Sequence, residues 1–345
     1  MAAPNILCDC AGMSEERWLE CRAHGPKGDI EYTVGGSDVA VIFGLSPWMT
    51  PLELWMMKKG RMKEKPKPNP GQLEMGHLLE PIAAHFYEKR TGNIVIPDTY
   101  LYQHADFPYA LANVDYNYVR KEDNEDGVLE CKSLTYHKAG DWDDGAYPIY
   151  YELQLRYYLA VRDKQIGSFA ALWGNNPEHD LATPEIVRDQ AKEDMIFERL
   201  EEWIWSLRHD KPPTMSDVKP TLAMESLARI YGASQKGLPT IEFPTQYEKS
   251  LRSIASLQLA NAELSSTIKE NEKKIAAHSV KIAELMKELE HGILTTTTDK
   301  LLVDFVTKSK RLVNSDYLKK EHPAIYQESL RVSESRKVKV TVQTA

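Results

Sequence analysis

Cysteine is scarce in this chain and confined to its first half. Only four of the 345 residues are cysteine, and none follows Cys131. Cys8, Cys10 and Cys21 lie near the start and Cys131 lies inside an apolar stretch, which favours reduced thiols over a disulfide framework. The Cys8-Asp9-Cys10 spacing differs from the usual metal-binding Cys-x-x-Cys, and no later cysteine completes a cluster. A disulfide-stabilised small domain and a late iron–sulfur cluster are therefore excluded.

Long apolar runs and a positive net charge are also missing. No stretch has the length of a membrane-spanning helix, and the N-terminus lacks the pattern of a signal peptide, which predicts a cytoplasmic protein. Acidic residues outnumber basic ones by 51 to 43, so the formal net charge is −8. This net charge counts against a DNA binder but does not exclude one, because the local distribution of charge matters more than the sum. The basic run at residues 58–67 still fits a site that admits a polyanion from one side, although a solvated loop is an equal interpretation.

The most informative segment that is present is the β-prone stretch Leu129-Glu130-Cys131-Lys132-Ser133. Strand alternation places Glu130 and Lys132 on one face, and Asp115, at the end of a preceding strand-like segment, would add a second carboxylate. Two carboxylates and the Cys131 main-chain carbonyl form an oxygen cluster of the kind that Mg²⁺ or Mn²⁺ prefers. A lysine beside such a metal can orient an attacking water. The pattern predicts a metal-dependent nuclease; an ordinary ion pair on a surface strand is the alternative.

Two helices before this strand carry further candidates. After Gly35-Gly36, Ser37 is expected to cap an apolar helix, whose free N–H groups and hydroxyl suit a phosphate, although a plain N-cap is the alternative. Residues 71–90 form a second predicted helix, in which Glu80 either points at the metal or is simply exposed. The apolar stripe expected for that helix consists of Leu79, Ile82, Ala83 and Phe86.

A third helix, Ile149–Arg162, places Gln154 and Tyr158 four residues apart on one face. This pair can hydrogen-bond a catalytic lysine and stack on a base, or it can be an ordinary half-buried pair. Strands are predicted at residues 94–102, 110–119 and 166–173, and a helix at residues 185–207.

The chain is expected to divide into four regions. These are a nuclease domain (residues 1–212), a linker (213–245), a long heptad helix (246–291) and a small basic α/β region (292–345). The heptad seam runs from Ile254 to Leu289 over about 50 Å, with Gly292 closing the helix, and Asn261, Asn271 and His278 are its polar positions. A strand pair around Asp299-Lys300, a short helix at 315–321 and a last basic strand at 336–342 complete the prediction.

Taken in order, these segments resemble the YqaJ-like viral recombinase nucleases, a family similar to phage lambda exonuclease within the PD-(D/E)XK superfamily. The matching segments lie between residues 14 and 210 and are Gly35-Gly36-Ser37-Asp38, Met75-Gly76-His77-Leu78-Leu79-Glu80-Pro81, Asn113-Val114-Asp115, Leu129-Glu130-Cys131-Lys132 and Gln154-Leu155-Arg156-Tyr157-Tyr158. The resemblance implies an α/β (α+β) fold with a restriction-endonuclease-like core, a mixed central sheet flanked by helices. The coiled-coil helix and the small β-containing tail follow that core here.

The resemblance also implies an activity and the residues that perform it. The activity is Mg²⁺-dependent degradation of linear double-stranded DNA from the 5′ end, in recombination beside a single-strand annealing protein in a phage or prophage. The candidate residues are Asp115, Glu130, Lys132 and Gln154 for catalysis, Glu80, Asp115, Glu130 and the Cys131 carbonyl for the metal, and Arg22, Ser37 and Tyr158 for DNA. Arg22 is separated from the glycine turn by an unusually long gap, residues 23–33.

Two other functions remain open at this stage. One is a DNA endonuclease of the same superfamily, and the other is a retired DNA-binding or scaffold protein that acts through its coiled coil. A homo-oligomer is expected, and a toroidal trimer as in the lambda enzyme is one form it could take. The heptad helix could instead pair two chains or pack on the last strands of its own chain.

Overall fold

The computed structural model describes residues 4–63, 70–135, 140–142, 145–173, 181–232, 239–309, 313–330 and 339. The chain divides into two compact units, Met1–Gly232 and Ala233–Ala345. Each unit is described by itself below.

The first unit combines seven helices with nine strands among its described residues. The helices are α1 Glu15–His24, α2 Gly36–Ile42, α3 Pro51–Lys58, α4 Pro70–Thr91, α5 Ile149–Arg162, α6 Gln190–Arg208 and α7 Pro220–Tyr231. The strands are β1 Asn5–Asp9, β2 Ile94–Pro97, β3 Tyr100–Gln103, β4 Leu111–Ala112, β5 Tyr116–Val119, β6 Asp126–Leu134, β7 Ile166–Trp173, β8 Leu181–Ala182 and β9 Glu185–Val187.

A mixed sheet forms the centre of the first unit. Its strand order is β2-β5-β6-β7-β8, and β9 also pairs with β7. Strands β2, β5 and β6 pair antiparallel, whereas β6 and β7 run parallel from Gly127↔Ile166 to Leu134↔Trp173. A parallel pair needs a crossover connection, and α5 lies within it. The predicted mixed central sheet flanked by helices is confirmed.

The two faces of β6 and β7 pack against different helices. Val128 and Phe169 belong to the apolar core that contains buried residues of α2, α5 and α6. Leu129 and Cys131 belong to a second core with Ala83 and other residues of α4. Successive strand residues therefore enter opposite layers, as the period of two requires.

Both long strands expected before β6 are divided in the structure. Residues 94–102 form β2 and most of β3, and residues 110–119 contain β4 and β5, because β1, β3 and β4 form a separate three-stranded sheet. Pro97, which has no N–H to continue a ladder, ends β2. Asp98 then turns into the interior, where its carboxylate lies 2.8 Å from the Arg162 guanidinium.

The predicted starts of two helices need correction. The N-cap of α2 is Gly35 rather than Ser37, and the Asp38 carboxylate accepts the Gly35 N–H at 3.1 Å. Helix α6 begins at Gln190, because the preceding residues form β9 and the Asp189 side chain caps the helix.

On α4 the apolar stripe is rotated from the predicted one. Ala83 is buried as expected, but Ile82 and Phe86 are 44% and 41% exposed, while Ala84 and Tyr87 are buried. Small residues at the contact let the helix lie close to β6 and β7.

Helix α7 lies inside the stretch expected to be a linker. Its Ser226 hydroxyl is 2.8 Å from the Thr50 hydroxyl, and its Arg229 guanidinium is 2.7 Å from the Glu53 carboxylate. Thr50 and Glu53 are fully buried in the first unit. Residues 220–231 therefore pack on α3 rather than forming a free connection.

The second unit contains one long helix and a hairpin. Its described elements are a short 3-10 helix at Thr245–Tyr247, α8 Glu248–Met286, β10 His291–Thr295, β11 Lys300–Asp304, α9 Ser315–Glu321 and α10 Pro323–Ser329. Helix α8 ends before the predicted Gly292, because Lys287 adopts a φ of +48° and Gly292 belongs to β10.

Seam residues of α8 remain largely solvent-exposed. Leu257, Leu264, Ile268 and Ile275 are each more than half exposed. The last predicted strand, residues 336–342, lies outside the described residues, apart from residue 339. Among the described helices, none combines the length and hydropathy that a membrane crossing requires.

Candidate active site

Strand β6 directs Glu130 and Lys132 toward α5, where both side chains contact Gln154. Glu130 and Lys132 alternate with Leu129 and Cys131, which pack under α4. Glu130 is only 3% exposed. A carboxylate so deeply buried is stable only when it is hydrogen-bonded and paired, so its partners define the site.

Glu130, Lys132 and Gln154 form a closed hydrogen-bonded network. The Lys132 ammonium donates to Glu130 Oε1 at 2.6 Å, and the Gln154 amide donates to the same oxygen at 2.7 Å. Lys132 also donates to Gln154 Oε1 at 3.3 Å, and the Gln154 amide reaches the Tyr158 hydroxyl at 3.1 Å. The side chains of a strand and of the crossover helix are thereby held in one arrangement.

Asp115 joins this site from the start of β5. The ladder between β5 and β6 begins at Tyr116↔Leu129, so the Cys131 N–H lies beyond it. Asp115 Oδ2 accepts that N–H at 2.8 Å. Asp115 therefore occupies the position at which the two strands diverge, beside the main chain of Cys131.

The charges of these groups influence one another strongly. Burial, and then repulsion from Asp115, raises the pKa of Glu130 above its ordinary value. Burial also raises the pKa of Asp115, against the opposing attraction of Lys132. Burial lowers the pKa of Lys132, but attraction to Glu130 and Asp115 outweighs this effect and the net change is upward. Lys132 therefore remains an ammonium group between carboxylates that repel each other.

Glu80 approaches the same site from α4. Its carboxylate is half-buried and lies 3.1 Å from the His77 imidazole, one turn earlier on the helix. Burial and repulsion from Asp115 raise the pKa of Glu80. A cavity of about 160 Å³ between α4 and β6 is lined by Glu80, Cys131 and Lys132, among others. Glu80 thus shares a cavity with Cys131 and Lys132, and its role toward a metal stays a prediction.

The donor atoms at this site suit a hard divalent cation. Glu130 Oε2 is buried and has no hydrogen-bond partner, so one carboxylate oxygen is left for another ligand. Within the described part of the chain, no three His, Cys, Asp or Glu side chains are grouped closely enough to hold a metal by themselves. Mg²⁺ usually binds through one or two carboxylates, waters and substrate phosphates. Asp115 and Glu130 therefore fit such an ion better than a cage made only of protein ligands.

The residues predicted to contact DNA lie along a neighbouring cleft of about 620 Å³. Arg22, Ser37 and Tyr158 line this cleft, together with Gln154. The long segment after Arg22 folds back, because the Thr33 hydroxyl donates to the Arg22 carbonyl at 2.7 Å. The end of α1 thereby returns to the start of α2, where the Arg22 guanidinium approaches Gly35. Arg22 and Ser37 are brought together despite their separation in sequence.

Gly36 allows α2 to approach the Tyr158 ring. An added Cβ at Gly36 would lie 2.5 Å from a ring carbon of Tyr158. Tyr158 can occupy this position only because Gly36 has no side chain. The Tyr158 hydroxyl in turn contacts Gln154.

Sequence analysis missed three residues near this site. His77 contacts Glu80, and Tyr151 places its ring 4.8 Å from the Lys132 ammonium. His77 lies three residues before Glu80 on α4, and Tyr151 lies three residues before Gln154 on α5. This helical spacing could have indicated both residues. Trp48 lines the cleft without any comparable local signal.

Comparisons of the sequence with known families and proteins agree on one family. A model of the YqaJ-like viral recombinase domain matches residues 17–165. The uncharacterized protein YqaJ of Bacillus subtilis (strain 168) is 30% identical over 282 residues, which cover 81% of this chain and 82% of that protein.

Two solved structures share lower similarity. The alkaline exonuclease LHK-Exo from Laribacter hongkongensis has 21% identity and a TM-score of 0.45, covering 57% of this chain and 94% of its own. A phage related exonuclease from Haemophilus somnus 129PT has 14% identity and a TM-score of 0.38, covering 50% of this chain and 91% of its own. Similarities at this level carry no functional argument.

Proposed function

The chain belongs to the YqaJ-like viral recombinase family, and we propose that it is a Mg²⁺-dependent exonuclease that degrades linear double-stranded DNA. The observation that supports this proposal most directly is the buried network of Glu130, Lys132 and Gln154 beside Asp115. A structural ion pair has no need of a second carboxylate that raises the pKa of the first. A phosphodiester hydrolase needs that arrangement to bind a cation next to a fixed ammonium group.

The proposed roles follow from these contacts. Asp115, Glu130 and the Cys131 carbonyl would hold the cation, with Glu80 binding or orienting it. A Mg²⁺ ion (or Mn²⁺) bound there would polarise the scissile phosphate and lower the pKa of a bound water. Lys132 orients that water and stabilises negative charge on the phosphate. Gln154 holds Glu130 and Lys132 in place through its amide.

The cleft supplies the proposed contacts to DNA. Arg22 and Ser37 would bind a backbone phosphate, since a guanidinium group and a hydroxyl at a helix start both suit an anion. Tyr158 would complete the DNA contacts next to Gln154. We propose a 5′ to 3′ polarity for the degradation, with a single-strand annealing protein as the partner that receives the remaining strand.

The test uses matched linear and covalently closed circular duplexes, each with and without Mg²⁺. We expect metal-dependent loss of the linear form alone, and loss of a 5′-terminal label before a 3′-terminal label. Cutting of the circle would establish an endonuclease instead. Binding without cutting of either form would favour a retired DNA-binding protein. Lys132→Ala serves as the inactive control, and Lys192→Ala, which removes an exposed lysine paired with Glu152, serves as the matched active control.

We also propose a homo-oligomer that forms through α8. In the heptad pattern of α8, Ile268 and Ile275 occupy a positions and Leu257 and Leu264 occupy d positions. Isoleucine at a with leucine at d favours a coiled coil of two helices. All four side chains are largely exposed. Light scattering should give twice the mass of one chain. Leu264→Asp should give the single-chain mass, whereas Ser266→Asp, on the outer face, should not. A mass of three chains would favour a toroidal trimer.

A further inference from the structure

Trp48 is an exposed aromatic residue in the loop between α2 and α3. It is 61% exposed. Its indole contacts the Tyr150 ring edge-to-face, with ring centroids 5.1 Å apart, and lies 6.4 Å from the Tyr151 centroid. Two rings at the start of α5 therefore support one side of the indole and leave other parts of it open to solvent.

The loop that carries Trp48 is fixed at both ends. The Leu45 and Ser46 N–H groups both donate to the Ala40 carbonyl, and the Trp48 N–H donates to the Ser46 hydroxyl at 3.3 Å. Thr50, which is fully buried, caps α3 through a reciprocal pair of hydrogen bonds with Glu53. Trp48 is thus presented by an ordered turn, at little cost in conformational entropy when a ligand binds.

Trp48 and the candidate catalytic lysine, Lys132, both lie beside the ring of Tyr151. Tyr151, which lies beside Trp48, faces the Lys132 ammonium at 4.8 Å. Trp48, Tyr150 and Tyr151 also line the same 620 Å³ cleft as the candidate phosphate residues. An apolar aromatic surface and the proposed phosphate contacts therefore face one binding space.

We propose that Trp48, supported by Tyr150 and Tyr151, is a stacking site for an unpaired nucleobase of the strand that enters the cleft. This inference rests on the proposed function, because it assumes DNA in the cleft. Every base has a π-face, so stacking on an aromatic side chain holds a strand without selecting a sequence. Such tolerance suits an enzyme that removes nucleotides from any DNA end. The edge-to-face contact with Tyr150 leaves an indole face available for a base.

The experiment measures binding separately from cleavage. The full chain carrying Lys132→Ala is titrated in Mg²⁺ with two fluorescently labelled linear duplexes, which differ only in whether the first nucleotides at both 5′ ends are abasic. Adding Trp48→Ala should weaken binding to the normal duplex about tenfold. It should change binding to the abasic duplex less than threefold, because the base that stacks is already missing. Trp48→Phe should retain most of the affinity.

Trp205→Ala is the matched control, since Trp205 is 54% exposed on α6 and stacks on His209 instead of lining the cleft. It should leave both affinities unchanged. Equal weakening on the two duplexes by Trp48→Ala would overturn the stacking site, and so would no weakening on either. If the chain without Lys132→Ala cuts no DNA, the proposed nuclease fails, while the difference between the two duplexes still reports on stacking.

Discussion

The contact between Gly36 and Tyr158 gives a prediction that can be worked out atom by atom. In Gly36→Ala, the new Cβ would lie 2.5 and 2.6 Å from two ring carbons of Tyr158 and 2.8 Å from its hydroxyl oxygen. Real Cβ atoms do not approach other atoms this closely, so the ring or α2 must move. Tyr158 is only 5% exposed and cannot turn away freely.

Two opposing effects decide whether Gly36→Ala raises or lowers the free energy of unfolding. Replacing glycine by alanine in a helix stabilises by at most about 1 kcal/mol. Overpacking a buried contact costs about 1–3 kcal/mol. Because the clash involves three atoms of a buried ring, we expect the second effect to prevail and the free energy of unfolding to fall by about 2 kcal/mol. DNA cleavage should fall as well, since the Tyr158 hydroxyl contacts Gln154 at 3.1 Å.

Urea unfolding followed by tryptophan fluorescence measures this change. The signal reports on the first unit, because all seven tryptophans precede residue 206. Gly76→Ala is the control: its Cβ would have its closest neighbour, the Ser133 hydroxyl, at an ordinary 3.7 Å. It should therefore stabilise α4 by about 0.5–1 kcal/mol. Equal stabilisation by Gly36→Ala and Gly76→Ala would refute the reasoning.

Two further predictions concern the packing that positions the site. Arg229→Ala should lower the free energy of unfolding by about 3 kcal/mol, because the buried Glu53 carboxylate, 1% exposed, loses its ion-pair partner at 2.7 Å. A loss below about 0.5 kcal/mol, the usual size for a surface ion pair, would contradict the packing of α7 on α3. Gly127→Ala should cost about 3 kcal/mol, since its Cβ would lie 2.7 Å from the Ile166 carbonyl oxygen. Urea unfolding tests both, and an unchanged midpoint for Gly127→Ala would mean that β6 and β7 can separate.

Much of the fold could be predicted from local patterns. The bounds of α5 and β7 agree with the sequence prediction, because an apolar face of helical period ends at Asp163, in the left-handed region, before a continuous apolar run. Strand β9 was missed because it has one buried side chain, Ile186, between two exposed ones. Three residues carry too little periodicity to compete with the helical pattern that follows them.

The candidate site could be predicted only in part, for a similar reason. Strand alternation is local, so it placed Glu130 and Lys132 on one face. The contact of Gln154 with both depends on where the crossover helix lies over the sheet, which only the resemblance to a family implied. The solvent exposure of Trp48 depends on how its loop packs against α5, and the sequence carries no signal for that. The catalytic and metal-binding roles of these residues remain predictions.

Cleavage of a linear duplex by Lys132→Ala and Glu130→Ala tests the central claim most directly. In the presence of Mg²⁺, we expect the parent chain to degrade the DNA and both variants to show no detectable cleavage. Their tryptophan fluorescence should show a folded first unit, so that the loss reflects chemistry rather than unfolding. Cleavage at the parent rate by both folded variants would contradict the assignment of this network as the active site.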